Sequence, residues 1–357
     1  MAKQLMSGNH ALAEAAIRAG CRFYFGYPIT PQNEVPEYMS ENLPKAGGTF
    51  IQGESEIASI SMVLGAAVTG ARAMTSSSSP GISLKQEGIS FLAGQELPAV
   101  IVNMTRGGPG LGNIAGSQGD YFQATRGGGH GDYRTVVIAP ASVQELADLT
   151  MLAFELADKY RNPVVILGDG ILAQMREPVV FPDPVKTFPD KDWALRGARG
   201  RPSRFSRSLI LDTKLMEEHN WKLKRKYQEI EKKEVRVETF MLDDAMMAVI
   251  AYGSSARIVK GAIKRVRREG IKAGLIRPIT LWPFPSSVIS ETAERVKQFI
   301  VFELNTGQML EDVRLALEGR GEIYFYGRPG GSTPTPLELA KIISSRYSQK
   351  LRRRGHR

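Results

Sequence analysis

The chain has a single cysteine, Cys21, among 357 residues. One thiol cannot form an internal disulfide, ligate an iron–sulfur cluster or complete a structural zinc site, so any cluster chemistry has to come from another chain. Histidine is nearly as scarce. His10, His130, His219 and His356 show none of the paired helical spacing of a zinc site. Long apolar runs are missing as well: the longest are too short to cross a bilayer, and the N-terminus lacks the basic, apolar and small-residue order of a signal peptide. A cytoplasmic protein that does not associate with membranes is expected.

Nucleotide signatures are absent too. The Gly-rich stretches 106–112 and 126–131 have neither the Lys-Ser/Thr ending of a P-loop nor the spacing of a dinucleotide fingerprint. Gly168-Asp169-Gly170 opens like the metal–diphosphate motif of thiamine enzymes, in which an Asp and a downstream Asn hold the divalent ion. The next asparagine is Asn220, much too far on. The tripeptide therefore reads as a strand-to-loop turn, and no metal site is expected on this chain.

Charge is the one excess. The formal net charge is +10 and the isoelectric point about 9.6, with basic residues gathered in 186–233, 257–268 and 350–357. Neither a zinc-finger spacing nor the glycine–aromatic signature of an RNA-recognition motif accompanies them. Solvated faces, a linker and a tail account for the charge, nucleic-acid binding is not expected, and an acidic protein partner fits.

At this length two hydrophobic cores are expected. There are 36 glycines and 20 prolines, and many of the glycines fall in short clusters after apolar runs, as in α/β proteins. Strands are expected at 22–27, 50–52, 73–75, 99–104, 135–138 and 163–167, alternating with helices at 8–19, 57–71, 84–92 and 143–159, so the sheet is parallel and covered on both faces. Pro28-Ile29-Thr30-Pro31 is a stiff loop at a strand end, because each proline removes a donor and restricts its predecessor. Ser55 is placed to cap the helix that follows, which sets Glu56 in its first turn, where the helix dipole favours a carboxylate. After Pro184 the composition turns charged, with a polar helix at 214–233. A smaller α/β unit then begins, with strands at 245–251, 274–277, 299–303 and 323–326 and a helix opened by Gly253-Ser254-Ser255. The expected division is 1–185, a charged linker 186–243, a second domain 244–345 and a basic tail 346–357.

Four motifs in this order carry a resemblance: Gly26-Tyr27-Pro28-Ile29-Thr30-Pro31, Gly53-Glu54-Ser55-Glu56, Ser77-Ser78-Ser79-Pro80-Gly81-Ile82-Ser83-Leu84 and Asn103-Met104-Thr105-Arg106-Gly107-Gly108-Pro109. Together with Glu303-Leu304-Asn305-Thr306-Gly307-Gln308-Met309, they make the chain resemble the alpha subunit of the 2-oxoacid:ferredoxin oxidoreductases. It is most similar to the 2-oxoisovalerate (3-methyl-2-oxobutanoate) branch, with 2-oxoglutarate next. The resemblance spans essentially the whole chain. It implies a thiamine-diphosphate pyrimidine-binding domain followed by a smaller transketolase-C-terminal-like α/β domain. It also implies a beta subunit holding the diphosphate, its Mg2+ and an iron–sulfur cluster, with a gamma subunit, a ferredoxin-like subunit and ferredoxin as further partners. The lone cysteine and the missing diphosphate motif agree with that division.

The implied reaction is oxidative decarboxylation of a 2-oxoacid with coenzyme A to an acyl-CoA and CO2, its electrons passing to ferredoxin. Glu56 is then the catalytic carboxyl group, hydrogen-bonded to the aminopyrimidine ring of thiamine diphosphate, with Glu54 as its rival. The cofactor supplies the carbanion chemistry and the protein sets its electronics and orientation. Thr30 and Arg106 would meet the substrate, Arg106 through its planar fork on the carboxylate. Tyr27, Pro28, Ser79 and Gly81 would line the pyrimidine pocket, the last two from a loop. Two alternatives stay open on the residues alone: the pyrimidine-binding subunit of a lipoamide-linked 2-oxoacid dehydrogenase, and a non-catalytic basic scaffold that binds nucleic acid.

Overall fold

The structure is a computed structural model that describes residues 3–188 and 190–354. The end of the expected basic tail, residues 355–357 with His356, lies outside the described residues.

A hairpin-like pair, β1 (Gln4–Ser7) and the later β8 (Arg176–Val179), closes one side of the first unit. Between them run α1 (Gly8–Arg18), β2 (Phe23–Gly26), α2 (Glu34–Asn42), β3 (Thr49–Gln52), α3 (Glu56–Ala67), β4 (Ala73–Ser77), α4 (Ser79–Gly94), β5 (Ala99–Thr105), α5 (Tyr121–Arg126), β6 (Val136–Ile138), α6 (Val143–Tyr160), β7 (Pro163–Asp169) and α7 (Gly170–Gln174). Capping explains several boundaries. The Ser142 side chain accepts the Glu145 N–H at 3.1 Å to open α6, and Gly20, at φ 81°, stands just beyond α1 in the left-handed conformation that only glycine adopts without strain.

Six strands pair in parallel in the order β6-β7-β5-β4-β2-β3. Every residue of β4, β5 and β7 is buried, as expected where helices cover both faces and no strand side faces water. From β2 the chain moves outward to β3 and then crosses back to β4. That reversal is a topological switch point, outside whose carboxyl ends ligands bind in open α/β sheets.

The stretch expected as a connector contains α8 (Thr213–Lys233), whose Leu223, Tyr227 and Ile230 are buried, and β9 (Val237–Phe240). The second sheet has the order β14-β13-β10-β11-β9, built from β10 (Met247–Ile250), β11 (Ala273–Pro278), β13 (Gln298–Glu303) and β14 (Glu322–Gly327), with β9 antiparallel at its edge. Around it stand α9 (Gly253–Arg268), α10 (Ser286–Arg295), α11 (Met309–Leu317) and α12 (Pro336–Arg354). One strand leaves this unit: β12 (Thr280–Trp282) pairs antiparallel with β6 at the edge of the first sheet.

Buried hydrogen bonds also join the two units. Gln118 Nε2 donates to the Tyr252 carbonyl at 2.9 Å, its Oε1 accepts the Leu304 N–H at 3.0 Å, and its own carbonyl accepts from Asn305 Nδ2 at 2.8 Å. Gln118 is thus satisfied entirely by the second unit, which makes the contact specific as well as close. Among the described residues no helix is long and apolar enough to cross a membrane.

Candidate active site

The loops that leave β2, β4 and β5 meet at the switch point. Arg106, the first residue after β5, is 7% exposed. Its Nη1 donates to the Thr30 carbonyl and its Nη2 to the Leu111 carbonyl, both at 3.0 Å. Its backbone N–H donates to Ser79 Oγ at 3.0 Å. Thr30, Ser79 and Arg106, 76 residues apart at the extremes, therefore form one cluster. Nε has no hydrogen-bond partner, and among the described residues no carboxylate pairs with the guanidinium. A buried cation with two donors directed at neutral carbonyls and its Nε without a partner is incompletely compensated, and suits an anionic ligand.

Glu56 opens α3, as the sequence predicts. Ser55 Oγ accepts the Ala58 N–H at 3.2 Å. Glu56 is buried whereas Glu54 is exposed, so the carboxyl group that faces the protein interior is that of Glu56. It lies against the start of α4: a Cβ added at Gly81 would stand 2.5 Å from Glu56 Oε1 and 2.1 Å from Ser77 Oγ. Only a glycine leaves room for the carboxylate there. Gly81→Ala is expected to cost about 1–3 kcal/mol of stability through overpacking, measured by denaturant unfolding.

Ser79-Pro80-Gly81 is not a loop, as expected, but the first turn of α4. Ser78 is extended at the cap position, and proline near the N-terminus of a helix sacrifices no intrahelical bond. The Ser79 N–H instead donates to Asn103 Oδ1 at 3.1 Å. Asn103 Nδ2 in turn donates to Asp120 Oδ2 at 2.9 Å. Burial raises the Asp120 carboxyl above its ordinary range against the bonds from Ser79 and Asn103. Tyr27 and Pro28 are exposed beyond the end of β2. Gln32 and Asp120 carried no sequence signal, because their roles come from strand ends brought together by the sheet.

Several buried polar atoms around Glu56 and Arg106 lack partners. They are Ser77 Oγ, Ser78 Oγ, Gln32 Nε2 and Arg106 Nε, and Gln32 Oε1 accepts from Ser76 Oγ. Native proteins leave few buried groups unsatisfied, and this concentration at strand ends beside a buried carboxyl group fits the polar edge of an aminopyrimidine. A cavity of about 610 Å³ adjoins them between Ser79, Pro80, Gly108, Asp120, Asn305 and Gln308, and is walled by both units.

Asp169 closes β7 and is buried. It is a strand-to-helix junction where a strand-to-loop turn was expected. Its Oδ1 accepts the N–H groups of Ile171 at 2.9 Å and Leu172 at 3.0 Å, capping α7, and its Oδ2 accepts from Ser254 Oγ in α9. Among the described residues no group of three or more His, Cys, Asp or Glu side chains is placed to hold a metal ion.

Residues 14–241 match the family model "Pyruvate flavodoxin/ferredoxin oxidoreductase, thiamine diP-bdg", and residues 245–339 match "Pyruvate:ferredoxin oxidoreductase core domain II". The ketoisovalerate oxidoreductase subunit VorB of Methanothermobacter thermautotrophicus is 54% identical over 344 residues, covering 96% of this chain and 97% of that one. The 2-oxoglutarate synthase subunit KorA of the same organism is 38% identical over 366 residues, with 95% and 97% covered. Among solved structures, the 2-oxoglutarate:ferredoxin oxidoreductase of Magnetococcus marinus, with 2-oxoglutarate, coenzyme A and succinyl-CoA bound, superposes with a TM-score of 0.86 at 29% identity. That match covers 97% of this chain and 65% of the other. A split-gene transketolase superposes with a TM-score of 0.60 at 12% identity, covering 96% and 98%, a likeness of fold alone. These matches decide between the ferredoxin-linked and lipoamide-linked enzymes that share a two-domain plan: the chain belongs to the 2-oxoacid:ferredoxin oxidoreductases, as an alpha subunit.

Proposed function

We propose that this chain supplies the pyrimidine-binding half of a composite site at which a 2-oxoacid, coenzyme A and an oxidised ferredoxin give an acyl-CoA, CO2 and reduced ferredoxin. The observation that carries the reading is the buried Glu56 carboxyl group beside unsatisfied polar atoms, at the same end of the parallel sheet as the uncompensated Arg106 guanidinium. Thiamine diphosphate, when bound, supplies the carbanion chemistry. Glu56 holds the aminopyrimidine ring by a hydrogen bond, which a dry site strengthens. Ser79 and Gly81 shape the first turn of α4 beside that ring, and Tyr27 and Pro28 form the rim.

Arg106 receives the substrate carboxylate, and Thr30, whose carbonyl fixes the guanidinium, presents its hydroxyl to the reacting carbon. The substrate proposed is 2-oxoisovalerate (3-methyl-2-oxobutanoate), on the strength of the VorB relative, with 2-oxoglutarate next on the strength of KorA. The diphosphate, Mg2+ and iron–sulfur clusters are assigned to partners, a beta subunit, a gamma subunit and a ferredoxin-like subunit. With one cysteine, this chain cannot hold a cluster. The division into a pyrimidine-binding domain 1–185, a linker 186–243 and a second domain 244–345 is proposed with it.

The isolated chain is expected to be colourless and without oxoacid-dependent turnover. Addition of cluster-bearing partner subunits is expected to restore thiamine-dependent reduction of viologen or ferredoxin, with kcat/KM compared between 2-oxoisovalerate and 2-oxoglutarate. Turnover by the purified chain alone would overturn the division of labour.

A further inference from the structure

Two glycines of α4 lie close against α3. A Cβ at Gly81 would meet Glu56 Oε1 at 2.5 Å, and a Cβ at Gly88 would meet Ile60 Cγ1 and Cγ2 at 2.6 Å. Glu56 and Ile60 are one turn apart on α3. Gly81 and Gly88 are two turns apart on α4, and Lys85 falls between them on the same stripe. Lys85 is 0% exposed, an extreme position for a lysine. Its Nζ donates to Thr75 Oγ1 at 3.0 Å, which uses one of the three donors of an ammonium.

Burial pulls the Lys85 ammonium down to about 8, and Glu56 is the charged side chain that opposes the effect of burial. An enclosed ammonium with a single neutral hydrogen bond is costly unless a counter-charge stands near. No direct ion pair closes between the two, so both Glu56 oxygens stay available to a ligand. The mechanism above makes no use of this lysine.

We infer that Lys85 is a positioning residue for Glu56: its buried ammonium, on the α4 stripe that packs across the start of α3, orients the Glu56 side chain toward the pyrimidine ring of the cofactor. The inference rests on the role proposed for Glu56. A lysine serving only to fill space and satisfy Thr75 would be replaced without functional loss by methionine, which matches its length, or by glutamine, which retains a donor. A lysine whose positive charge orients Glu56 is replaced by neither.

The test uses the assembled enzyme with Lys85→Met and Lys85→Gln. Both are expected to lower kcat at least about tenfold, the scale of a lost contribution to proton transfer, with little change in KM for the oxoacid. Both are expected to raise the Kd for thiamine diphosphate in calorimetric titrations and to remove its pH dependence near 8. A third readout needs no cofactor. In the free chain the folded state loses the Lys85 proton at lower pH than the unfolded state does, so wild-type stability rises between about pH 8 and 10.5. Lys85→Met flattens that rise. Wild-type kcat, cofactor affinity and pH profile in the glutamine variant would overturn the inference. So would failure of both variants to assemble, which would assign Lys85 to the core alone. Full turnover by Glu56→Gln would instead remove the underlying role of Glu56.

Discussion

Glu56→Gln in the assembled enzyme is expected to lower kcat by about 10² to 10⁴, the range typical of a lost acid–base contribution, while subunit assembly and the KM for the oxoacid persist. Glutamine is nearly isosteric with glutamate and leaves the space beside Gly81 filled. On the role proposed for Glu56, an amide would not supply the carboxyl group's hydrogen bond to the pyrimidine ring. Glu54→Gln is the matched control. Glu54 is exposed two residues earlier and is expected to remain near wild-type. Equal small losses in both variants, or the larger loss at Glu54, would move the catalytic assignment. The measurement is steady-state oxoacid-dependent viologen reduction, with assembly followed by gel filtration.

Arg106→Ala is expected to lower kcat/KM by about 2–5 kcal/mol, roughly 30- to 5,000-fold, the cost of truncating one partner of a desolvated charge pair. Arg106→Lys is expected to fall between Ala and wild-type, mainly through KM. It retains the charge but cannot span the Thr30 and Leu111 carbonyls with a planar fork. The alanine variant also frees those two carbonyls, so the lysine variant isolates substrate binding better. Several 2-oxoacids that share the carboxylate and differ in side chain complete the test. Proportional losses for all of them identify a carboxylate contact. A loss confined to one side chain would place Arg106 in the specificity pocket, and normal kinetics would remove it from the site.

Much of the local structure was legible in the chain because its causes are local. The helix expected at 8–19 is Gly8–Arg18, that at 143–159 is Val143–Tyr160 and that at 214–233 is Thr213–Lys233, all bounded by cap or stop residues within one turn. The strand expected at 99–104 is Ala99–Thr105, a mostly apolar run bounded by a proline and an arginine. The start of α4 was missed by five residues because Pro80 reads as a breaker, although its ring is tolerated in the first turn of a helix. The strands β9 and β12 escaped notice for a different reason. A four-residue and a three-residue segment have no period long enough to show, and they become strands only through partners 35 or more residues away, β11 for one and β6 for the other.

By itself the sequence determined the α/β class, the parallel character of the first sheet, the cap that places Glu56 at a helix start, and the need for another chain to hold any cluster. Composition, periodicity and capping are properties of neighbouring residues and survive without the fold. Only the tertiary structure decided which carboxyl group is enclosed, Glu56 and not Glu54, since burial depends on the helix that packs across it. It alone joined Arg106 to Thr30 and Asn103 to Asp120, and enclosed Lys85 beside Glu56. Those contacts arise where the order of strands in the sheet reverses, and that order is set by the packing of the whole core and not by any local stretch of chain.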